Sequence, residues 1–273
     1  MQKKVQNVAV PPALLRAALL ILVAASCAQC LAGEVAPAAI PLSPEAIVQR
    51  LVSANAHRAQ SLRGYRGKRD YKVNYRSFLS NRDAEMQVMV SFTAPDKKSF
   101  SVVSQTGSKL LINHVLLKLL DSEKEAVQQQ NRMQSELSPR NYDFSLAGTE
   151  HSPGGDQYVL NVKPKVASKF LYNGKIWVDA ADFAVVRMEG EPAKNPSFWI
   201  SRTRIAYDFT KIGDFWFPAH TKSETQVRMG GKASLTIDYS DYEISTAGKA
   251  RTGRGSDRNP VLPDPSSVTP EQH

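Results

Sequence analysis

The chain has 273 residues, a formal net charge of +9 and two cysteines. Its length fits one all-β domain with terminal segments, since such domains often exceed about 200 residues. Removing residues 1–32, which hold three basic residues and no acidic one, lowers the charge to +6, and that excess favours anionic neighbours without identifying them. Cys27 and Cys30 both lie in this segment, so the remainder cannot form a disulfide, a thiolate nucleophile or a cysteine metal site.

The first 32 residues match an export signal. Three basic residues precede an uncharged run over residues 17–32, an order typical of a secretory signal peptide. The run is about 16 residues long and therefore shorter than the roughly 20 that span a bilayer. We predict a signal peptide over residues 1–32, cleavage after Ala32 and a periplasmic location. Acylation of Cys27 and an uncleaved anchor are the alternatives.

The remainder divides into a linker, one domain and a tail. Residues 33–42 are rich in Ala and Pro, which is typical of a linker. Residues 245–273 consist mainly of Gly, Ser, Pro and charged residues, and such a composition buries too little apolar surface to offset its ordering entropy. We predict a folded domain over residues 43–244 and a disordered tail after it.

The domain opens with a helix. Ser43 is suited to the N-cap and Pro44 to the first helical position. Ile47 and Leu51 belong to an apolar stripe at helical spacing,. The helix is expected to end near His57 and to lay this stripe on a sheet.

From Gly64 the apolar period changes to two, which is typical of half-buried strands. Tyr71 and Val73, for example, alternate with Lys72 and Asn74. The alternation recurs along the chain and predicts about ten strands, located near residues 71–78, 86–92, 99–104, 142–149, 158–162, 170–179, 186–188, 199–209, 221–229 and 235–239. Many consecutive strands of this kind indicate a large antiparallel sheet.

A second helix is predicted over residues 109–133. Ile112, Leu116 and Leu120 fall on one face of a 3.6-residue period,. Two interpretations remain open at this stage. The helix is either an ordinary core helix packed on the sheet or a lid over an apolar cavity.

The sequence shows no catalytic or metal-binding motif. Nucleophilic catalysis needs an activated side chain beside a base, yet the chain has no Gly-x-Ser-x-Gly elbow, and its five histidines are widely separated. No two histidines stand at zinc-site spacing. We therefore expect a protein that is not an enzyme and that needs no cofactor and no metal.

A basic run within residues 58–76 is the strongest local charge signal, and it is interleaved with tyrosines. Basic residues mixed with aromatic residues can bind nucleic acid, but an exported protein rarely meets nucleic acid, so none is expected as a partner. An anionic lipid head group or membrane surface fits better, and a solvated strand face is the alternative. The residues predicted to make this contact are Arg66, Lys68, Arg69, Lys72 and Arg76.

Three segments resemble the outer-membrane lipoprotein-sorting proteins, the LolA/LolB-like family. They read Tyr-Val-Leu-Asn-Val-Lys-Pro-Lys over residues 158–165, Lys-Ile-Trp-Val-Asp over residues 175–179, and Asp-Phe-Trp-Phe-Pro over residues 214–218. The resemblance covers roughly residues 43–244. It implies an α+β fold in which a curved antiparallel sheet forms an incomplete β-barrel, or LolA-like half-barrel, covered by two helices, with a cavity that binds acyl chains.

The sequence departs from the lipoprotein carrier of this family at two places. Ala94-Pro95 stands where the carrier has an Arg-Pro that is important for handing on its cargo, and the helix around Ile112 to Leu120 is an insertion. These departures argue against lipoprotein shuttling as such and leave a lipid-binding cavity in place.

The resulting hypothesis is a periplasmic binding protein that holds a lipid or acyl chain. It would act in lipoprotein or lipid transport or in maintenance of the cell envelope. The alternative is an envelope-stress sensor or protein-interaction module of the same fold, with an envelope protein as its partner. The side chains predicted to line the cavity are Val88, Val90, Phe100, Val102, Leu116, Leu120, Leu160, Trp199, Ile205 and Tyr207.

Overall fold

We describe a computed structural model of the chain, over residues 42–168, 170–195, 200–228 and 230–247. The predicted signal peptide, the linker up to residue 41 and the predicted tail from residue 248 onward lie outside these residues, and so does Trp199. The tail was predicted to begin at residue 245, but residues 245 and 246 belong to the last strand, which ends at Thr246.

The described residues form ten strands, one helix of 18 residues near the start and several shorter helical segments. The helices are α1 (Pro44–Ser61), α2 (Lys109–Leu111), a π-helical segment (Ile112–Leu116), α3 (Leu117–Ala126) and α4 (Gln129–Ser135). The strands are β1 (Leu62–Arg76), β2 (Asn81–Thr93), β3 (Lys97–Gly107), β4 (Tyr142–Ser152), β5 (Gly155–Pro164), β6 (Tyr172–Asp179), β7 (Val185–Pro192), β8 (Ile200–Ile212), β9 (Phe215–Val227) and β10 (Lys232–Thr246).

All ten strands belong to one curved antiparallel sheet that does not close into a barrel. Their order is β3-β2-β1-β10-β9-β8-β7-β6-β5-β4. The first strand therefore pairs with the last one inside the sheet, as the third and fourth strands counted from β3, while β3 and β4 form the two open edges. The predicted fold class, a mainly antiparallel incomplete barrel with helices, is confirmed.

The start of α1 follows from its first residues. The backbone N–H of Ala46 donates to Ser43 Oγ at 3.2 Å, as expected of an N-cap residue. Ile47, Val48 and Leu51 are buried, so α1 lays the predicted stripe on the sheet. The helix runs one turn beyond His57, to Ser61.

The second predicted helix is interrupted. We refer to α2, the π-helical segment and α3 together as the central helix (residues 109–126); α4 follows separately. The residues between the edge strands β3 and β4 include this helix. Its buried residues Leu111, Ile112, Leu116 and Leu120 belong to one cluster with side chains of the sheet. The central helix is thus a core helix.

Candidate functional site

The inner face of the sheet is the face that carries Tyr71 and Val73, and it has two parts with different coverings. Over β1, β2 and β10, the central helix packs directly on the strands. The buried cluster there contains Tyr71, Val73, Ala84, Met86, Val88, Val90, Leu111, Ile112, Leu116, Leu120 and Ile237. We call this cluster the helix-covered core.

Five of the ten side chains that were predicted to line a cavity lie in this core or pack against it. Val88, Val90, Leu116 and Leu120 are members of it, and Phe100 packs against it. Leu160 is fully buried on β5, Ile205 and Tyr207 are half-buried on β8, and Val102 is 43% exposed on the edge strand β3. Ligand contact by these residues stays a prediction.

The basic run divides between the two faces of β1. Arg66, Lys68, Lys72 and Arg76 have the outward register, and the last three form ion pairs. Arg69 has the inward register of Tyr71 and is only 6% exposed. A surface contact with lipid head groups is therefore not retained for Arg69, because its guanidinium is buried beneath the central helix.

Arg69 forms a buried ionic cluster with α3 and β3. Its Nη1 lies 2.8 Å from both carboxylate oxygens of Glu123 and 3.1 Å from the Tyr71 hydroxyl. Lys98 Nζ donates to Glu123 at 2.9 Å. Burial opposes the charge of Glu123, but attraction to Lys98 and Arg69 outweighs it and lowers the pKa of this carboxyl. The cluster therefore fixes the central helix to the sheet by charge as well as by packing.

The second part of the inner face contains an apolar cleft. It lies between α1, residues 135–137 and strands β6 to β9, and has a volume of about 440 Å³. Ligand sites typically measure about 300–1,000 Å³, so the size is sufficient. Its lining consists of Asn55, Arg58, Ala59, Leu62, Ser135, Leu137, Tyr142, Tyr172, Ala184, Val185, Met188, Phe209, Phe215, Trp216 and Phe217.

The lining from β9 follows from the sequence Asp-Phe-Trp-Phe-Pro at residues 214–218. Gly213 adopts a positive φ of 60° in the turn before it, a conformation that glycine accepts readily. Phe215 and Phe217 are then buried, and Trp216 is half-buried. The Trp216 Nε1–H donates to Asp182 Oδ2 at 3.0 Å, which fixes the indole at the cleft.

Arg58 is the one charged side chain among the described residues that line the cleft. Its guanidinium donates to the backbone oxygens of Asp182 and Phe183, each at 3.0 Å, and to Asn55 Oδ1 at 2.9 Å. The Asp182 carboxylate is engaged with Lys211 at 2.6 Å. Burial lowers the pKa of Arg58, and the negative charge of Asp182 opposes part of this effect.

The turn that holds these oxygens is itself well defined. Asp179 Oδ1 accepts hydrogen bonds from the backbone N–H groups of Ala181 and Asp182, at 3.0 and 2.6 Å. Phe183 has a positive φ of 49°, and Arg50 lies 5.2 Å above its ring. The position of the Arg58 guanidinium is therefore set by ordered groups on both sides.

None of the predicted cavity residues that the structure describes lines this cleft. A signal for the α1 contribution was present, since Asn55, Arg58 and Leu62 follow the buried Leu51 at helical spacing and so lie on the same side of the helix,. The contribution of β6 to β9 depends on pairings between strands far apart in the sequence.

Two further features are absent from the described residues. Within residues 42–168, 170–195, 200–228 and 230–247, no group of three or more His, Cys, Asp or Glu side chains is arranged to hold a metal ion. In the same part of the chain, no helix is both long and apolar enough to cross a membrane.

No protein-family model and no curated protein matches the chain. Among solved structures, it is similar to a DUF1329 family protein from Desulfovibrio piger, with 13% identity, a TM-score of 0.39 and coverage of 74% of this chain and 94% of that one. An outer-membrane lipoprotein-sorting protein domain from Vibrio parahaemolyticus is similar at 12% identity, with a TM-score of 0.37 and coverage of 76% and 92%. A LolA superfamily protein from Nitrosomonas europaea is similar at 13% identity, with a TM-score of 0.33 and coverage of 75% and 94%. The structures to which this chain is similar thus include LolA-like proteins, the family that the three sequence segments resemble.

Proposed function

We propose that the protein is a non-enzymatic binding protein that holds an acyl chain or another extended apolar ligand in the cleft beneath α1. The observation that carries this proposal is the cleft itself, whose volume of about 440 Å³ is bounded mainly by aromatic and aliphatic side chains. Such a lining favours a ligand with a large apolar surface.

The energetics suggest that the ligand also has a polar anchor. Burying ten methylene groups would contribute roughly 8 kcal/mol, at about 0.8 kcal/mol for each CH₂. Association itself costs roughly 4–15 kcal/mol, so apolar burial alone gives modest affinity. A charge-assisted hydrogen bond adds about 1.5–3 kcal/mol.

Arg58 is suited to provide this anchor. A guanidinium carries five N–H donors, and three hydrogen bonds from Arg58 to described residues are observed. All three acceptors are uncharged: two are backbone carbonyl oxygens, and the third is the side-chain amide oxygen of Asn55. A carboxylate or phosphate head group would therefore meet a fixed cation with donor capacity left. The ligand class that follows is an anionic amphiphile such as a fatty acid.

The first test blocks the cleft. Ala59 lines the cleft from the exposed side of α1, so Ala59→Trp should fill it with little cost to folding. We expect binding of a fluorescent fatty acid to weaken by more than about tenfold, or about 1.4 kcal/mol. Ala56→Trp is the matched control, because Ala56 is also exposed on α1 and does not line the cleft. Equal binding by both variants would contradict the proposal.

The second test concerns the head group. The wild type should bind a fatty acid more tightly than its methyl ester, and Arg58→Met should remove this preference while leaving binding of the ester unchanged. Isothermal titration with both ligands measures the difference. A preference that survives in Arg58→Met would show that another group recognises the carboxylate.

Native mass spectrometry of protein purified from cells separates the proposal from the protein-interaction alternative. A co-purifying lipid of defined mass supports a binding protein. An empty protein in a stable complex with another envelope protein would exclude it.

The proposal includes export to the periplasm, which rests on the N-terminal sequence. Fractionation of cells and the intact mass of the processed chain test it. A chain that begins at Gly33 supports signal-peptide cleavage, and a chain that begins at an acylated Cys27 supports the lipoprotein alternative. An unprocessed chain in the cytoplasm would contradict export.

A further inference from the structure

The turn between β1 and β2 presents two large apolar side chains to solvent. Phe78 is 102% exposed and Leu79 is 90% exposed. The turn is ordered, since the Ser77 N–H donates to the Ser80 backbone oxygen at 3.0 Å and the Ser80 N–H donates to Ser77 Oγ at 3.0 Å. Both apolar side chains are therefore held outward by a closed turn.

The fold does not require large apolar residues at positions 78 and 79. Turns of this length usually contain Gly, Asn, Asp, Ser or Pro, and adjacent large apolar residues add nothing to the turn geometry. Val73, four residues before the turn, points into the helix-covered core, whereas residues 78 and 79 lie beyond the end of both strands. Exposed apolar groups of this kind mark contact with another molecule or with a membrane.

Basic residues surround this tip. Arg76 and Arg82 flank it on β1 and β2, and Lys232 is the register partner of Arg76 on β10. All three are exposed. Asp83, the nearest carboxylate in the sequence, is already paired with Arg76 at 2.6 Å.

The neighbouring hairpin supports the tip. The Tyr75 hydroxyl donates to the Gly230 backbone oxygen at 3.2 Å, which ties the end of β1 to the β9–β10 turn. The cations of both hairpins are thus presented at the same end of the sheet.

We propose that this tip docks the protein on an anionic lipid bilayer. Phe78 and Leu79 insert at the boundary between head groups and acyl chains, and Arg82 and Lys232 contact lipid phosphates. Apolar side chains flanked by cations match the two layers of a membrane surface. A narrow convex tip fits a fluid bilayer better than a protein partner, because a protein would need a complementary pocket.

This inference goes beyond the proposed ligand binding and does not rest on it. The cleft is lined by Leu62, at the opposite end of the 15-residue β1 from Arg76. At about 3.3 Å per residue, the two ends are about 45 Å apart along the strand. Changes at the tip should therefore leave the cleft intact, and the two activities can fail separately.

Co-sedimentation with vesicles tests the proposal. The wild-type chain should bind vesicles of phosphatidylcholine mixed with phosphatidylglycerol, and bind pure phosphatidylcholine vesicles several-fold less. The double variant Phe78→Ser with Leu79→Ser should lose on the order of tenfold or more of its partitioning, given the apolar surface withdrawn from the bilayer. Arg82→Glu should weaken binding only to the anionic vesicles. All variants share the same N-terminus, so any contribution from residues 17–32 cancels.

One control variant and one direct readout of insertion complete the test. Val166 is also an exposed apolar residue, at 62%, and Val166→Ser should bind vesicles like the wild type. Phe78→Trp should show a blue-shifted fluorescence component on adding anionic vesicles, which reports insertion directly. Undiminished binding by the double variant would overturn the proposal. So would a wild type that binds neither kind of vesicle but self-associates through the tip.

Discussion

Replacing Glu123 by Gln should destabilise the fold by about 3 kcal/mol. The change leaves the Arg69 and Lys98 cations, whose side chains are only 7% and 10% exposed, without their carboxylate. Removing one partner of a buried ion pair typically costs about 3–5 kcal/mol. Glu123 itself is 25% exposed, so water can partly replace it and the lower end applies. Urea denaturation followed by circular dichroism measures the free energy of unfolding.

The same helix offers a matched control. Asp121 pairs with Lys118 at 3.9 Å, and both side chains are well exposed. Asp121→Asn should therefore change stability by no more than about 0.5 kcal/mol. Adding Arg69→Met to Glu123→Gln should cost less than the sum of the two single changes, with a coupling of about 0.5–3 kcal/mol. If Glu123→Gln is no more destabilising than Asp121→Asn, the ionic cluster does not fix the central helix.

Three further predictions concern stability. Burial raises the pKa of Glu123, but Lys98 and Arg69 lower it by more and hold it below the ordinary value of 4.5. As the pH falls, this carboxylate is therefore protonated in the unfolded chain before it is protonated in the folded one. Stability should then fall as the pH drops below about 4.5, more steeply in the wild type than in Glu123→Gln, as urea titrations at several pH values would show. Leu116→Ala should cost about 2–5 kcal/mol in the same assay, because this fully buried side chain leaves a cavity,; a cost below about 1 kcal/mol would contradict core packing. A Cβ on Gly174 would lie 2.0 Å from the backbone oxygen of Glu189, so Gly174→Ala should cost about 1–3 kcal/mol, whereas Gly154→Ala, with its nearest contact at 3.7 Å, should be tolerated.

Local structure could be read from the sequence wherever neighbouring residues decide it. Ser43 caps α1 as expected. Gly230 and Gly231 both adopt positive φ, at 89° and 116°, in the turn between β9 and β10, a conformation that glycine accepts readily. These features depend on a few adjacent residues and on their intrinsic conformational preferences.

The position of Arg69 was also within reach of the sequence. Period-two alternation places residue 69 on the face of Tyr71 and Val73, opposite to Arg66, Lys68 and the other cations of the run. Grouping all these residues as one basic surface ignored this alternation. The partner Glu123 could not be foreseen, because it approaches from a helix 54 positions later in the chain.

The location of the cleft was beyond sequence reasoning. Its walls combine α1 with β6 to β9, and their proximity depends on the pairing of the first strand with the last. A core helix and a lid helix would show the same apolar period, so the spacing of the apolar residues around Leu116 does not distinguish them. Periodicity shows that a face is buried but not whether protein or ligand covers it.

Photo-crosslinking with a fatty acid that carries a diazirine near its chain end shows directly whether the acyl chain lies in the cleft beneath α1. After irradiation and digestion, mass spectrometry identifies the residues that the chain contacts. We expect crosslinks on Tyr172, Met188 and residues 215–217, and their loss in Ala59→Trp. Crosslinks on the central helix or on Val88 and Val90, or none above background, would contradict the proposal.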